Sequence, residues 1–190
     1  MEASVPTCVI IGASHAGVTC AFALRREGWT GAIHLYDEDP DLPYHRPPLS
    51  KAYLGEGAES QPLKPADSYV EEDISLHLGV RVESIDPAQR TVVLAGGNTQ
   101  SYDKLVLATG GTPITPELQG LRHARNVFPL RTARDARAIQ EAGAQRVVVI
   151  GGGYIGLEVA ASLRKQGAEV TVLEREKRVL SRVTAPVMSA

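Results

Sequence analysis

Two short runs in this chain have the residue pattern of a phosphate cradle. Gly151-Gly152-Gly153-Tyr154-Ile155-Gly156 places glycine at the first, third and sixth positions of a turn that follows the β-branched run Val147-Val148-Val149-Ile150. In such a turn the first glycine makes the tight bend, the second lets backbone N–H groups approach a pyrophosphate, and the third lets helix and strand pack closely. The helix opening there adds partial positive charge for the phosphates. Glu174 closes the next strand-like run, 23 residues after Gly151. A carboxylate there accepts from both hydroxyls of a ribose and repels a 2′-phosphate, which favours NADH over NADPH. Arg175, Lys177 and Arg178 pull the other way, because a nearby guanidinium holds such a phosphate.

The first run, Gly12-Ala13-Ser14-His15-Ala16-Gly17, is a degenerate version in which Ser14 replaces the middle glycine. Its Cβ leaves backbone approach less free, though serine is small. Asp37 or Glu38 stands where the ribose acid belongs, and strand alternation does not separate them. His15, in a helix-opening turn, reads first as a solvated or capping side chain and second as a phosphate or flavin contact. Cys8 and Cys20 match neither CxxC nor CxxxxC, so they read as buried small apolar residues rather than a redox pair.

The elements that must hold these turns repeat. Residues 7–11 form a short apolar run ended by Gly12, a helix pattern over 16–27 stops at Gly28, and a second strand over 32–36 ends in Asp37-Glu38-Asp39. This is a βαβ unit. Residues 40–65 carry Pro43, Pro47, Pro48 and Pro62, which predicts ordered loop with a short helix rather than sheet. Strand-like runs at 80–82 and 91–94, with turns at 86–89 and 96–98, predict a β-meander over about 76–104, returning to a central strand, 104–108. A helix around 132–141 leads into a second βαβ: strand 147–150, helix 154–166, strand 170–174. The glycine turns open 139 positions apart, but only 40 residues remain from Gly151 to Ala190. The expected fold is therefore α/β: a Rossmann-like dinucleotide-binding domain with a β-meander, then the first βαβ of a second, incomplete nucleotide-binding domain. The expected boundaries are 1–115, a connecting segment 116–145, and 146–190. The chain is expected to be a fragment or a prematurely ended product.

Composition narrows the class. A chain of 190 residues with 43% hydrophobic and 22% charged content is an ordinary globular one, and a net charge of −2 offers no basic field for nucleic acid or an anionic membrane. No apolar run approaches the roughly 20 residues of a membrane helix. Met1-Glu2-Ala3-Ser4 lacks the basic start and apolar stretch of a signal peptide, so a cytoplasmic protein is expected. Two cysteines exclude a disulfide scaffold or a four-thiolate zinc site, and no metal site is expected.

Together the two glycine turns, Pro43-Tyr44-His45-Arg46-Pro47-Pro48-Leu49-Ser50-Lys51, Tyr102-Asp103-Lys104-Leu105-Val106-Leu107-Ala108-Thr109-Gly110-Gly111 and the Gly151–Ala161 stretch resemble the FAD-dependent pyridine nucleotide oxidoreductases. Within them the chain is most similar to the ferredoxin, rubredoxin and putidaredoxin reductases. The RPPLSK segment is the most specific part, because disulfide reductases carry a CxxxxC pair there. The resemblance implies that Gly12, Ser14, His15, Ala16 and Gly17 wrap the FAD pyrophosphate, with Glu38, and Asp37 beside it, at the adenosine ribose. It implies Arg46 and Lys51 along the flavin, Lys51 nearest its reactive edge, and the Val82 backbone toward the adenine. Ala108, Thr109 and Gly110 would lie under the FAD, with Arg131 approaching it. Gly151, Gly153, Tyr154, Ile155, Gly156 and Glu174 would bind NADH, with NADPH the less favoured nucleotide. Glu158 would sit between nicotinamide and flavin and pair with Lys51; these two are the implied catalytic residues.

The implied activity is electron transfer from NADH through FAD to a ferredoxin- or rubredoxin-type carrier serving an oxygenase. With no internal disulfide to take both electrons, they would leave singly. Complete members continue past this point, and the end departs from the family, reading Ala185-Pro186-Val187 where two prolines are expected. Two other readings stand beside this one: a relative with another acceptor (nitrite reductase or apoptosis-inducing-factor-like), and a non-catalytic fragment or half of a split protein that needs a separate C-terminal chain.

Overall fold

The computed structural model describes residues 5–55 and 60–189. Its elements form two compact units that are discontinuous in sequence: among the described residues, 5–45 with 61–111, and 46–55 and 60 with 112–189.

The first unit is built on a parallel sheet in the order β3-β2-β1-β7, from β1 (Thr7–Ile11), β2 (Ala32–Tyr36), β3 (Ile74–His77) and β7 (Lys104–Leu107). β1 is central and apolar at every position after Thr7 because both its faces are covered. Cys8 and Ile10 join the cluster of α1 (His15–Arg26) and α2 (Ala66–Glu71), with Ile33, Leu35 and Tyr69. Val9 and Ile11 pack on the other face with Tyr36 and Val92. The antiparallel sheet there consists of β4 (Val82–Asp86), β5 (Thr91–Leu94) and β6 (Thr99–Ser101). The meander strands thus span 82–101, and residues 74–77 belong to the parallel sheet, with Ile74 and Leu76 in the α1 cluster. The strand looked for at 80–82 starts at Val82 and runs to Asp86. Asp86 then closes the expected turn by accepting from the Ala88 and Gln89 N–H groups at 2.9 and 3.0 Å. Cys8 is buried and Cys20 half-buried on α1, both as free thiols.

Two features of this unit make stability testable. Tyr69 is 2% exposed, stacks edge-on to Phe22, and its hydroxyl has no hydrogen-bond partner among the described residues, while burial pushes its pKa up to about 12. Removing an unsatisfied buried hydroxyl removes its desolvation cost. Tyr69→Phe is expected to raise unfolding free energy by about 1 kcal/mol in a urea titration; a loss of stability would show that the hydroxyl finds a partner.

His34 Nδ1 and His77 Nε2 lie 3.0 Å apart, and Tyr36 stacks on His77 at 4.3 Å. One ring must present N–H and the other its lone pair, so the pair is built for neutral imidazoles. Burial holds both below the ordinary histidine value, and the His34 charge adds to the effect on His77. The unfolded chain therefore binds more protons than the folded one as pH falls through about 6.5 and below, and stability falls with it. The thermal midpoint should drop between about pH 7.5 and pH 5, and less steeply in His34→Gln. Parallel profiles would remove the pair from the account.

The second unit holds α3 (Ala133–Ala142), β8 (Arg146–Ile150), α4 (Tyr154–Lys165) and β9 (Glu169–Leu173), the last three forming a parallel βαβ. Thr132 caps α3 through a reciprocal box with Asp135. The Pro-rich segment contributes 3-10 turns at Pro47–Ser50 and Ala52–Leu54, packed on α3 and α4. Gln140 and Gln166 hold them by donating to the Tyr53, Gly55 and Leu54 carbonyls at 2.6–2.9 Å. No helix among the described residues is long and apolar enough to cross a membrane.

Candidate dinucleotide sites

The two glycine turns fold alike, and each is clasped by an acid. In the first unit the Gly12 N–H donates to the Tyr36 carbonyl, and Asp37 Oδ2 accepts from the Ala13 N–H at 2.5 Å and Oδ1 from the Asp39 N–H at 2.9 Å. In the second unit the Gly151 N–H donates to Leu173, and Glu174 Oε2 accepts from the Gly152 N–H at 2.7 Å and Oε1 from the Glu176 N–H at 2.9 Å. Asp37 is therefore the counterpart of Glu174. Glu38 points elsewhere, to an exposed ion pair with Arg81 at 2.8 Å. The ambiguity came from loop length: five residues join α1 to β2 but only three join α4 to β9.

The geometry explains the motif residue by residue. Gly12 has φ +102°, and a Cβ on it would lie 2.3 Å from the Ala108 carbonyl oxygen. A Cβ on Gly17 or Gly156 would lie 1.8 or 2.0 Å from the carbonyl oxygen of the glycine opening its own turn. Ser14, at the helix N-cap, has φ −100° and its counterpart Gly153 −81°, so serine there brings no backbone strain. A Cβ on Gly153 would meet nothing within 4 Å. The degenerate motif is thus as well formed as the full one.

These turns fit phosphates on their own chemistry. Neither α1 nor α4 has a side-chain cap or an acid in its first turn. No acid of the first turn competes with an anion for their leading N–H groups. Each clasping carboxylate spends two acceptor positions on backbone N–H groups and retains further acceptor positions. Those N–H bonds, first Glu176 and then Gly152, hold the Glu174 pKa below the ordinary range. A groove of about 330 Å³ lies beside the second turn, lined by Gly152, Tyr154, Glu174, Arg175, Ser181 and Arg182 among others.

Other expected residues are placed as follows. His15 is exposed at the first position of α1, its Nε2 3.3 Å from His45 Nδ1, so it does not cap its helix. Ala108, Thr109 and Gly110 follow β7 beside the first turn, where the Ala108 N–H donates to Ile11. Val82 opens β4, opposite Leu94. In the second unit Arg46 donates to the Arg131 carbonyl at 2.8 Å. Lys51 Nζ lies 2.9 Å from Glu158 Oε2, an ion pair with side chains 56% and 32% exposed. Tyr154 and Ile155 are exposed at the head of α4. Ser50, which precedes Lys51 and was not singled out in the sequence, donates to the same Glu158 oxygen at 2.5 Å. Its hydroxyl, then the Lys51 contact, holds the Glu158 pKa below the ordinary range.

Comparison with known proteins gives these sites a lineage. The family model described as pyridine nucleotide-disulphide oxidoreductase matches residues 6–190. A ferredoxin–NAD(P)(+) reductase of a Sphingomonas species is 43% identical over 95% of this chain and 44% of its own length. The putidaredoxin reductase of Pseudomonas putida is 47% identical over 96% of this chain and 44% of its own length. Among solved structures, a covalent putidaredoxin reductase–putidaredoxin complex superposes with a TM-score of 0.89 at 43% identity, over 98% of this chain and 46% of that one. The chain thus spans somewhat under half the length of these relatives. It belongs to the pyridine nucleotide-disulphide oxidoreductase family, whose cofactors are FAD and a pyridine nucleotide.

Proposed function

We propose that this chain is the dinucleotide-binding part of a cytoplasmic flavoprotein reductase that passes electrons from NADH to a ferredoxin- or rubredoxin-type carrier of an oxygenase system. The observation that carries the reading is the duplicated clasp, Asp37 on Ala13 and Glu174 on Gly152, which prepares two dinucleotide cradles in one chain. Supporting it are the family and the relatives' names.

The first cradle is assigned to FAD: Gly12, Ser14, His15, Ala16 and Gly17 at the pyrophosphate, Asp37 at the ribose with Glu38, paired to Arg81, beside it, and Val82 at the adenine. Ala108, Thr109 and Gly110 flank it, and the family resemblance assigns Arg46, Lys51 and Arg131 to the flavin. The second cradle, Gly151, Gly153, Tyr154, Ile155, Gly156 and Glu174, is assigned to NADH. Two of the three cations that could hold a 2′-phosphate are already engaged. Arg178 donates to the Ser181 and Thr184 carbonyls and to the Thr184 and Ser189 hydroxyls, and Arg175 pairs with Glu176 at 3.4 Å. Glu174, held by two N–H groups, is not free to swing from a phosphate.

FAD, when bound, accepts a hydride from the reduced nicotinamide and releases its electrons singly. Lys51 supplies positive charge where the reduced ring gains negative charge, and Glu158 fixes that ammonium. Cys8 and Cys20 are free thiols and match no redox-pair spacing, and the relatives' names, ferredoxin and putidaredoxin reductases, favour an external one-electron acceptor.

The test is anaerobic turnover of the FAD-supplemented chain with a [2Fe–2S] ferredoxin or a rubredoxin, following acceptor bleaching. Reduction with NADH well ahead of NADPH is expected. Reduction of an artificial dye but of neither carrier would overturn the acceptor, and equal rates with both nucleotides would overturn the cofactor choice.

A further inference from the structure

Ser50 is 6% exposed, a buried polar side chain in a turn whose neighbours Arg46 and Lys51 lie more open. It closes the Pro47–Ser50 turn, where the two leading prolines fix the backbone approach to α4. Two bonds then pin it there. Its hydroxyl donates to Glu158 Oε2 at 2.5 Å, and its carbonyl accepts from Ser162 Oγ at 3.1 Å, one helical turn further along α4. Lys51 Nζ donates to that same Glu158 oxygen at 2.9 Å and reaches the Pro47 carbonyl at 3.5 Å.

A glutamate on a half-exposed helix face has three side-chain torsions and, paired only with a mobile lysine, samples many of them; exposed ion pairs of this kind order little. A hydroxyl on a backbone clamped at both ends changes that. It selects one carboxylate position before Lys51 arrives. We propose that Ser50 is a positioning residue, whose hydroxyl locks the Glu158 carboxylate and so fixes where the Lys51 ammonium sits. The consequence for electron transfer rests on the reading that Lys51 faces the flavin; the lock itself does not. Serine satisfies the site because it is small enough for the buried turn and donates. Alanine keeps the turn and loses the donor.

The lock is read without flavin. The chain is labelled with carboxyl-13C glutamate, Glu158→Gln assigns the resonance, and an acid titration follows it. Lys51 is the cation facing the carboxylate, and Tyr154 lies one turn back on α4. Ser50→Ala is expected to move the Glu158 midpoint up toward the ordinary glutamate range even with Lys51 in place, since the hydroxyl contact at 2.5 Å is lost. An unmoved midpoint in Ser50→Ala, with Lys51→Ala still moving it, overturns the proposal. The amide spectrum of each variant verifies that α4 remains folded.

A second arm separates the lock from the flavin reading. With FAD added, both substitutions should shift the flavin midpoint potential in the negative direction, because a fixed cation near the reduced ring is lost. A moved Glu158 midpoint with an unmoved potential in both variants would keep the lock and remove Lys51 from the flavin.

Discussion

Gly17→Ala should destabilise the first unit by roughly 3 kcal/mol, the upper range for overpacking a close contact, whereas Gly111→Ala should stay within about 0.5 kcal/mol. The contrast is geometric. A Cβ on Gly17 would lie 1.8 Å from the Gly12 carbonyl oxygen and 3.4 Å from Ile10 Cγ2, and the oxygen belongs to backbone that cannot rotate away. At Gly111 a Cβ meets nothing within 4 Å. To make room, α1 must lift from β1, and Val18 and Ala21 lose their seats against Ile10. Guanidinium titration with far-ultraviolet circular dichroism checks it. Equal stability of the two variants would mean that α1 and β1 are not in the close contact described.

Glu174→Ala should weaken NADH binding by on the order of tenfold or more, with a much smaller change for NADPH, so that discrimination between the two collapses. The carboxylate holds the Gly152 and Glu176 N–H groups at 2.7 and 2.9 Å, which fixes its remaining lone pairs for a diol. Its removal deletes the ribose acceptor and the charge that opposes a 2′-phosphate together. Fluorescence titration with each reduced nucleotide measures both. If NADH and NADPH affinities fell in parallel, Glu174 would be a structural clasp for its turn and nothing more.

Much of this was legible in the sequence because the signals are local. The strands at 7–11 and 32–36, the helices that begin beside the glycine turns, and Gly28 and Gly167 at helix ends follow from periodicity and from residues with few backbone options. Glu174 was legible from its distance to Gly151. What escaped depended on distant partners. Strand Ile74–His77 carries polar Ser75 and His77, and only its pairing with β2 makes it a strand. Asp37 could not be separated from Glu38 while the α1–β2 connection had no known length. Ser50 lay inside the most specific segment yet had no visible task, because its partner Glu158 is 108 positions away. Lys51 and Glu158 were paired only through the family resemblance, and the structure brings them to 2.9 Å.

Both dinucleotide cradles are expected to assemble from residues of this chain. The most direct measurement is the visible absorbance spectrum of the FAD-supplemented, desalted protein before and after anaerobic NADH. Retained flavin bands that bleach on NADH are expected. A chain that retains no flavin, or one whose flavin stays oxidised in excess NADH, would contradict that assembly.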